Sequence, residues 1–298
     1  MKVRVNPLDA KPVVKWAGGK RRLLPEITAR YPFADPQVVR YGEPFTGGGA
    51  VLLDVVNRYE PVEVYAADSN AELVNMYVNI RDDVEAVVNV LQFLEEEYLA
   101  RDKVGRGEMF YESRATFNNL RGVGGSQAAA LLIFLNKTCF NGLYRVNADG
   151  EFNVPHGTYV HPKINDADNL REVSAAINQV NFVVADYHDV LNFASADTFV
   201  YFDPPYRSTA TGESFAAYTR SGFNDDDQRQ LADVYHQLRA NGVRVMLSNS
   251  DPTTVNPNDD FFEKLYAGSI INRVAVNHCV GRDGSSRRVT GEILVQSY

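Results

Sequence analysis

Short apolar stretches recur along the chain and predict buried β-strands. They lack the strict alternation of a sheet with one solvent-exposed face, as expected for strands covered on both faces. The stretches are VVRYGEPF (38–45), VEVYAAD (62–68), NFVVAD (181–186), TFVYFD (198–203) and VRVMLSN (243–249).

Helical spacing of apolar residues follows or separates these strands. It occurs in 70–80 and again in 225–240, where Asn224 is a plausible cap and Asn241-Gly242 a stop signal. The positions at i, i+3, i+4 and i+7 are Leu73, Met76, Tyr77 and Ile80, and then Leu231, Val234, Tyr235 and Leu238. Strands that alternate with helices predict an α/β fold with a doubly wound, mostly parallel sheet.

The last part of the chain has a different pattern. Two apolar segments, 270–280 and 291–298, flank the turn-rich GRDGSS (281–286). This arrangement predicts a hairpin and not another crossover unit, so we expect antiparallel pairing at one edge of the parallel sheet.

The middle of the chain, 81–165, interrupts the alternation of strands and helices. It contains a predicted helix at 85–99, a second apolar helix at 128–135 and an Asn/Gly/Tyr-rich segment at 136–159, with NADG (147–150) at the turn of a predicted hairpin. We interpret 81–165 as an inserted, mainly helical subdomain between two parts of one domain, 1–80 and 166–298. Its basic and aromatic tip should face a partner.

Composition limits the possible classes of protein but does not indicate a function. The chain has 298 residues, 45% of them hydrophobic, which is enough for a sizeable core. No stretch approaches the roughly 18 apolar residues of a membrane span, and MKVRVNPLDAKPVV lacks the apolar core of a signal peptide, so we expect a cytoplasmic protein without a membrane partner. The net charge of −8 argues against a wholly basic binder, although residues 1–22 are locally basic.

The two cysteines, Cys139 and Cys279, are far apart and have no CxxC neighbours. This spacing supports neither a disulfide framework nor a structural zinc site. The five histidines show no ligand spacing, so we expect no metal.

The motif DPPY (203–206) follows a buried strand. Ligands of open α/β sheets bind outside the carboxyl ends of strands, where Asp203 is expected to lie. Prolines supply no N–H, so the turn offers acceptors, the Asp203 carboxylate and the Pro204 carbonyl, while Tyr206 offers a flat face. These groups suit an amino group on a heterocycle. A simple strand-ending turn with a packed tyrosine explains the tetrapeptide equally well.

A glycine-rich turn, EPFTGGGAVLLDVV (43–56), joins a predicted strand to an apolar helix. Gly47 and Gly49 are followed by Leu52, so the spacing departs from GxGxxG, and this weakens phosphate binding while leaving a nucleoside-binding turn open. Asp68 ends the next strand, where a carboxylate can hold ribose hydroxyls. Such turns and carboxylates are common, so the pair alone favours nucleotide binding only modestly.

A basic turn, KWAGGKRRLLPEI (15–27), precedes these elements. Lys15 and Lys20 bracket its glycines. A solvated, basic start of a helix is the ordinary interpretation, and a loop that holds a carboxylate or phosphate is the alternative.

Five blocks together carry a resemblance to a known family. They are KWAGGK (15–20), EPFTGGGA (43–50), AADSNAEL (66–73), NGLYRVNADGEFNVPHGTY (141–159) and YFDPPY (201–206). In order and spacing they closely resemble the DNA adenine methyltransferases of the Dam and DpnII type, over nearly the whole chain. DPPY alone also marks cytosine-N4 methyltransferases, whereas five blocks in this order are specific.

The resemblance implies transfer of a methyl group from S-adenosylmethionine to adenine N6 in double-stranded DNA, within GATC, by base flipping and direct in-line transfer. S-adenosylhomocysteine is the implied product, no metal is implied, and a restriction endonuclease with the same target site is a candidate partner. Asp203, Pro204 and Tyr206 are the implied catalytic residues. The implied cofactor-binding residues are Trp16, Lys20, Phe45, Thr46, Gly47, Gly49, Asp68, Asp186 and Asp203.

The inserted segment resembles the target-recognition domain of that family. Lys15, Leu143, Arg145 and Pro155 occupy places associated with reading bases, and Tyr159 closes the same block. Phe140 and Asn141 lie where the family inserts a hairpin into the duplex. Thr158 stands where some members carry an arginine suited to phosphate. Residues 207–223 are expected to form a mobile flap, although a surface loop fits them nearly as well.

Other classes remain to be weighed. A cytosine-C5 methyltransferase needs a cysteine after proline, whereas Thr138 precedes Cys139 and His278 precedes Cys279. Cytosine-N4 transfer uses the same acceptors and is the nearest alternative. A dinucleotide oxidoreductase would leave the glycine pattern and DPPY unexplained, and a non-enzymatic DNA-binding protein would not need an intact DPPY.

Overall fold

The strands form one large sheet and one small one. In the computed structural model, which describes residues 1–208, 223–279 and 287–298, they are β1 (Lys2–Val3), β2 (Arg40–Glu43), β3 (Tyr59–Glu60), β4 (Glu63–Asp68), β5 (Val180–Val184), β6 (Thr198–Phe202), β7 (Arg244–Ser250), β8 (Ile270–Cys279) and β9 (Arg287–Gln296). The seven-stranded sheet has the order β5-β4-β2-β6-β7-β9-β8, and β1 pairs with β3. The predicted strands are therefore confirmed.

The large sheet is mostly parallel with an antiparallel edge. Strands β5, β4, β2, β6 and β7 pair in parallel, whereas β9 pairs antiparallel with both β7 and β8. The predicted α/β class and the C-terminal hairpin are both confirmed. The predicted flap at 207–223 falls almost entirely outside the described residues.

Helices cover both faces of the sheet. They are α1 (Leu24–Thr28), α2 (Ala50–Arg58), α3 (Ala71–Asp82), α4 (Val84–Ala100), α5 (Lys103–Asn119), α6 (Ser126–Thr138), α7 (Ala167–Ala176), α8 (Val190–Phe193), α9 (Asp225–Ala240) and α10 (Phe261–Leu265). All eight apolar positions that predicted α3 and α9 are buried. Asn70 caps α3 by accepting from Leu73 N at 3.1 Å, and Asn224 forms a capping box with Asp227 at the start of α9.

Strand β6 shows why the sheet has two cores. Phe199 and Tyr201 belong to one buried apolar cluster, and Val200 and Phe202 belong to the other. Successive side chains of a strand point to opposite faces, so a strand with helices on both sides is apolar throughout. This explains the absence of alternation in the sequence.

The region 81–165 is mainly helical, as predicted. It differs from expectation in one additional helix and in the limited pairing of its hairpin. Helix α5 was not predicted, because Gly105, Gly107 and many polar residues obscure an apolar face that buries Phe110 and Phe117. The expected hairpin at 136–159 turns at NADG, where Gly150 N donates to Asn147 O at 3.0 Å.

Pairing along that hairpin is limited to two isolated bridges, Cys139 with His156 and Val146 with Phe152. Left-handed backbone at Asn141 (φ 57°) and Gly142 (φ 64°) accounts for the interruption, because it prevents a continuous extended strand. Residues from α4, α5 and α6 belong to the same buried cluster as β2 and α3. The division at 80/81 and 165/166 stays a prediction.

The order of the parallel strands contains a reversal, the place where open α/β sheets form a ligand-binding crevice. The chain runs outward from β2 to β4 and β5, and then returns to β6 and β7 on the other side of β2. The direction of winding therefore reverses between the neighbouring strands β2 and β6. Open α/β sheets bind ligands outside the carboxyl ends of the strands at such a reversal. The glycine-rich turn after β2 and Asp203 after β6 both lie there.

Candidate active site

Asp203 lies at the carboxyl end of β6, where its Oδ1 atom has two partners. Lys20 Nζ is 2.6 Å away, and Ser248 Oγ donates a hydrogen bond at 3.0 Å. Burial raises the pKa of the Asp203 carboxyl, while Lys20 and Ser248 act in the opposite direction without cancelling the effect. The Asp203 side chain is 20% exposed, so it stays accessible from the crevice.

The adjacent acceptors are available. The Pro204 carbonyl and Asp203 Oδ2 accept no hydrogen bond from the described part of the chain. Pro204 and Pro205 have no N–H, so at these two positions the turn offers acceptors and no main-chain donors. A group with two N–H donors fits this arrangement.

Tyr206 provides an aromatic face beside these acceptors. Lys20 Nζ lies 4.6 Å from the centre of its ring, and the Tyr206 hydroxyl donates to Glu292 Oε2 at 2.7 Å. Burial raises the pKa of the Tyr206 phenol well above its ordinary value, so the hydroxyl stays protonated and can act as a donor. Glu292 belongs to β9, and the C-terminal hairpin therefore holds part of this site.

The turn at 16–20 connects the two halves of the crevice. Gly19 N donates to Trp16 O at 3.2 Å, and this closes the turn. Trp16 packs so closely on the glycine-rich turn that a Cβ atom at Gly48 would lie 2.9 Å from Trp16 Cβ. Lys20, at the other end, pairs with Asp203. One short segment thus contacts the turn after β2 and the residue after β6.

The glycine-rich turn needs glycine at two places. Gly47 and Gly49 have φ angles of 49° and 70°, in the left-handed region that favours glycine. A Cβ atom at Gly49 would lie 2.6 Å from the Tyr77 hydroxyl oxygen, which itself donates to Gly47 O at 3.1 Å. Thr46 is buried and donates from Oγ1 to Glu43 O at 3.0 Å, which fixes the start of the turn.

Asp68 is bound by main-chain amides but keeps acceptor capacity. Its Oδ2 accepts from Gly47 N and its Oδ1 from Asn70 N, both at 2.9 Å. Burial raises the pKa of the Asp68 carboxyl, and the two N–H groups lower it. A carboxylate offers about four lone-pair sites, so both oxygens can accept further hydrogen bonds from a ligand's hydroxyls.

A pair of rings lies next to this turn. Phe45 and Tyr187 stack with their centres 5.4 Å apart, and Phe45 is only partly buried. Rings beside a carboxylate suit a nucleoside, so the Asp68 carboxylate and these rings fit the ribose and purine of S-adenosylmethionine. Asp186 immediately precedes Tyr187, but its exposed carboxylate accepts hydrogen bonds from the backbone and ring of His188.

The predicted DNA-contacting residues form a rim next to the crevice. Phe140 and Leu143 are 52% and 45% exposed, which is unusual for large apolar side chains. Phe140 N donates to Pro155 O at 2.9 Å, so Pro155 supports the Phe140 backbone while its own ring is exposed. Asn141 sits at the tip in left-handed backbone, a conformation that Asn tolerates better than most residues.

Lys15 and Tyr159 lie together at this rim. Lys15 Nζ is 5.0 Å from the centre of the Tyr159 ring. The buried Asn136 accepts from Lys15 N and donates to Lys15 O, both at 2.8 Å, and it also donates to Gly142 O. The basic turn is therefore bound to the end of α6 and to Gly142. Gly142 directly follows Phe140 and Asn141, the residues predicted to insert into the duplex, which we name the wedge.

Arg145 is exposed, and its side chain is held by Asn153. Its Nε donates to Asn153 Oδ1 at 2.7 Å. Tyr144, its neighbour, packs against Trp16 with ring centres 5.0 Å apart. The structure thus brings the catalytic and most cofactor candidates into one crevice and the DNA candidates to its rim, with Asp186 facing its own turn.

Sequence reasoning missed several polar residues that shape the crevice. Glu43, at the end of β2, is almost fully buried beside the Tyr41 hydroxyl, and burial raises the pKa of its carboxyl well above the ordinary value. Gln228 interrupts the apolar face of α9, and Glu292 interrupts the apolar β9. A polar residue on an otherwise apolar face was the signal available for each.

Two further observations concern metal binding and membrane spanning. In the described parts of the chain, no group of three or more His, Cys, Asp and Glu side chains could hold a metal ion. The described helices are also too short or too polar to cross a bilayer.

Comparisons with known proteins give a consistent result. The family described as D12 class N6 adenine-specific DNA methyltransferase matches residues 16–279. The chain is 41% identical to the type II methyltransferase M.MjaIII of Methanocaldococcus jannaschii, over 98% of this chain and 100% of that protein. It is 33% identical to the type II methyltransferase M1.LlaDCHI of Lactococcus lactis (98% and 97% covered) and 32% identical to a DNA adenine methylase of Vibrio cholerae (94% of each).

Proposed function

Because the chain belongs to the D12 class of N6 adenine-specific DNA methyltransferases, we propose that it methylates adenine within GATC, after flipping the base out of the duplex, by direct transfer from S-adenosylmethionine. Adenine-N6 methylation of DNA is the activity of this family. The target sequence, the flipping step and the roles of individual residues are the parts we propose.

The relationship between Lys20 and Asp203 is the observation that carries the proposal. It joins the turn that packs on Gly48 to the carboxylate of DPPY, across the reversal point between β2 and β6. Nucleoside-binding groups and amine-binding acceptors thereby face one crevice, as a reaction between a nucleoside cofactor and an exocyclic amine requires.

The Asp203 carboxylate and the Pro204 carbonyl, which we name the acceptor corner, bind the adenine amine. Adenine N6 is a poor nucleophile because its lone pair is delocalised into the ring. Hydrogen bonds from its two hydrogens to Asp203 and to the Pro204 carbonyl favour a pyramidal nitrogen with a directed lone pair. Tyr206 stacks on the base and fixes its plane. Catalysis then rests on positioning, which requires no covalent intermediate with the protein.

Cofactor binding is assigned to the other half of the crevice. Asp68 accepts hydrogen bonds from the ribose hydroxyls, and the Phe45–Gly49 turn and Trp16 line the pocket. Asp186 is a weaker candidate, near the adenine of the cofactor. Lys20 keeps Asp203 ionised through its charge. When bound, S-adenosylmethionine supplies an activated methyl group with its own leaving group.

Target recognition is assigned to residues 81–165, and catalysis to 1–80 with 166–298. Extruding a base costs a few kcal/mol, which the Phe140 wedge and Tyr206 stacking offset. Arg145 reads a guanine with two hydrogen bonds after leaving Asn153, and Lys15, Leu143, Pro155 and Tyr159 surround the same duplex. Since two relatives are named type II methyltransferases, a restriction endonuclease with the same target is the proposed partner.

The test is labelled methyl transfer to duplexes that carry GATC, each single-base variant, and premethylated GATC as the control. We expect label in GATC alone and N6-methyladenine after digestion to nucleosides. Equal label in every duplex would refute the specificity, and N4-methylcytosine would indicate the cytosine reaction.

The role of the corner is tested by Asp203→Ala. We expect methyl transfer to fall by a factor on the order of 10³ or more while affinity for the duplex stays within a few-fold, because alignment of the amine is lost but the DNA rim is intact. Retained transfer would refute the catalytic assignment of Asp203.

A further inference from the structure

The DPPY turn has little means of fixing itself. Pro204 and Pro205 lack N–H groups, so two of its residues cannot donate the main-chain hydrogen bonds that normally hold a turn. The described structure instead holds the turn through side chains of the neighbouring strand. Three consecutive residues at the carboxyl end of β7, Ser248, Asn249 and Ser250, which we name the SNS segment, bind Asp203 at the start of the turn or Arg207 directly after it.

We propose that the SNS segment positions the Asp203–Tyr206 turn for methyl transfer, so that these three residues are positioning residues of the enzyme. The inference rests on the proposed function, because it takes the turn as the place where the adenine amine binds.

Ser248 orients the carboxylate. Its Oγ donates to Asp203 Oδ1 at 3.0 Å and is 2.8 Å from the Tyr201 hydroxyl, and the serine is fully buried. With the Tyr201 hydroxyl donating to Ser248, the serine has one proton to give, and it is directed at Asp203. This arrangement fixes the rotation of the carboxylate and leaves Oδ2 without a hydrogen bond from the described residues.

Asn249 holds the turn from the opposite face of the strand. Its Oδ1 accepts from Arg207 N at 2.9 Å, and its Nδ2 donates to Gln228 Oε1 at 3.1 Å. Gln228 Nε2 in turn donates to the Pro205 carbonyl at 3.0 Å. Asn249 and Gln228 are both 0% exposed, so their bonds do not compete with water.

Ser250 binds the main chain of Arg207, the residue that directly follows the turn. Its Oγ donates to Arg207 O at 2.7 Å, so both main-chain groups of Arg207 are bound by the SNS segment. The guanidinium of Arg207 pairs with Asp225 at 2.7 Å and Asp259 at 2.9 Å, which anchors the same residue to α9 and to the loop before α10.

The free acceptors of the turn therefore lie between fixed points. Asp203 is held by Ser248, the Pro205 carbonyl by Gln228 and Arg207 by Asn249, while the Pro204 carbonyl between them accepts no hydrogen bond from the described residues. A displacement of about 1 Å in such a corner lowers a rate by about 10²-fold. Loss of the SNS contacts should consequently reduce turnover without reducing the affinity for the cofactor.

The experiment compares Asn249→Ala and Ser250→Ala with the matched control Asn272→Ala. Asn272 makes a similar Asn–Gln bond, Nδ2 to Gln296 Oε1 at 2.8 Å, in the same sheet but in the hairpin β8–β9. The readouts are kcat at saturating DNA and cofactor, the KM for duplex, and cofactor affinity from the fluorescence of Trp16, the single tryptophan of the chain.

We expect kcat to fall about 10- to 100-fold in Asn249→Ala and several-fold in Ser250→Ala, with cofactor affinity within about twofold of wild type and Asn272→Ala unchanged. The double variant Gln228→Ala/Asn249→Ala should lose no more than Asn249→Ala alone, because both side chains act through one chain of hydrogen bonds. A general loss of packing would instead weaken cofactor binding and turnover together.

The inference is overturned if Ser250→Ala and Asn249→Ala turn over at the wild-type rate, or if cofactor affinity falls in parallel with kcat. If Asn249→Ala does not fold, Ser250→Ala decides by the same criteria. Loss of activity in Asp203→Ala with normal rates in both SNS variants refutes this inference alone. Normal activity in Asp203→Ala refutes the proposed site as well.

Discussion

Lys20 places its ammonium group 2.6 Å from Asp203 Oδ1, in a site where burial raises the pKa of that carboxyl. The lysine is only 6% exposed, so the pair is weakly screened by solvent. The ammonium favours the ionised carboxylate, which we propose accepts a hydrogen bond from the adenine amine. Activity should therefore be lost as the pH falls through the pKa of Asp203.

Lys20→Met removes this charge and keeps most of the stem. We expect the pKa of Asp203 to rise further and the acid limb of kcat/KM to move to higher pH, because burial is then opposed mainly by Ser248. The measurement is kcat/KM against pH, with Arg21→Met as the control, since Arg21 is an exposed neighbouring cation. An acid limb at the same pH in Lys20→Met and wild type would contradict the role.

The same pKa shift has a consequence for stability. A carboxyl with a raised pKa favours the protonated folded state, so its contribution is fully present below the unfolded pKa of about 3.9 and is lost as the pH rises through the folded pKa. An ionised Asp203 carboxylate is thus maintained at a cost to the free energy of unfolding at neutral pH.

Phe140→Ala tests the predicted wedge. The ring is 52% exposed on the rim, so its loss should leave the fold intact and lower methyl transfer to a fully paired duplex about 10-fold. Transfer should recover when the target adenine is left unpaired, because extrusion then costs less. Phe93→Ala, at a 62% exposed ring on α4, is the matched control. Equal losses on paired and unpaired targets would argue against a wedge.

Arg145→Ala tests base reading. Removing two hydrogen bonds to a guanine should reduce discrimination at one base pair by about 1–3 kcal/mol, while changes at the other positions stay small. The measurement is kcat/KM for GATC and its single-base variants, with Arg101→Ala as the control, because Arg101 pairs with Glu97 at the end of α4. A uniform fall across all duplexes would indicate a phosphate contact instead.

Gly49→Ala tests the glycine-rich turn through stability. Left-handed backbone costs a non-glycine residue about 1–2 kcal/mol, and the new Cβ would also press on the Tyr77 hydroxyl at 2.6 Å. Gly122→Ala is the control, since its φ of 74° is similar and nothing lies within 4 Å. Urea unfolding should show a larger loss for Gly49→Ala. Tyr77→Phe in that background should recover part of the difference, and equal losses at both glycines would exclude the contact.

The sequence predicted the fold well because the fold depends on patterns that are local in the chain. Buried strands without alternation, helices with apolar residues at i and i+4, and the cap at Asn224 are all confirmed. Helix α5 escaped prediction because its buried face becomes apparent only when Phe110 and Phe117 pack against other elements.

The sequence predicted only those residues of the candidate site that belong to a recognisable motif. The order of the strands, which brings Lys20 to Asp203, depends on how the chain winds and cannot be read from spacing alone. Gln228, Asn249 and Glu292 come from three elements distant in sequence from DPPY, and nothing in the local pattern of any of them indicates the partner it finds.

The hairpin at the edge of the sheet also couples Tyr206 to a segment far along the chain. Glu292 lies 86 residues beyond Tyr206, the residue whose hydroxyl it binds, and β9 is inserted between β7 and β8. A chain that has formed the parallel strands and the glycine-rich turn therefore still lacks the partner of the Tyr206 hydroxyl until β9 pairs with β7. Docking of the hairpin on β7 is thus coupled to completion of the candidate site.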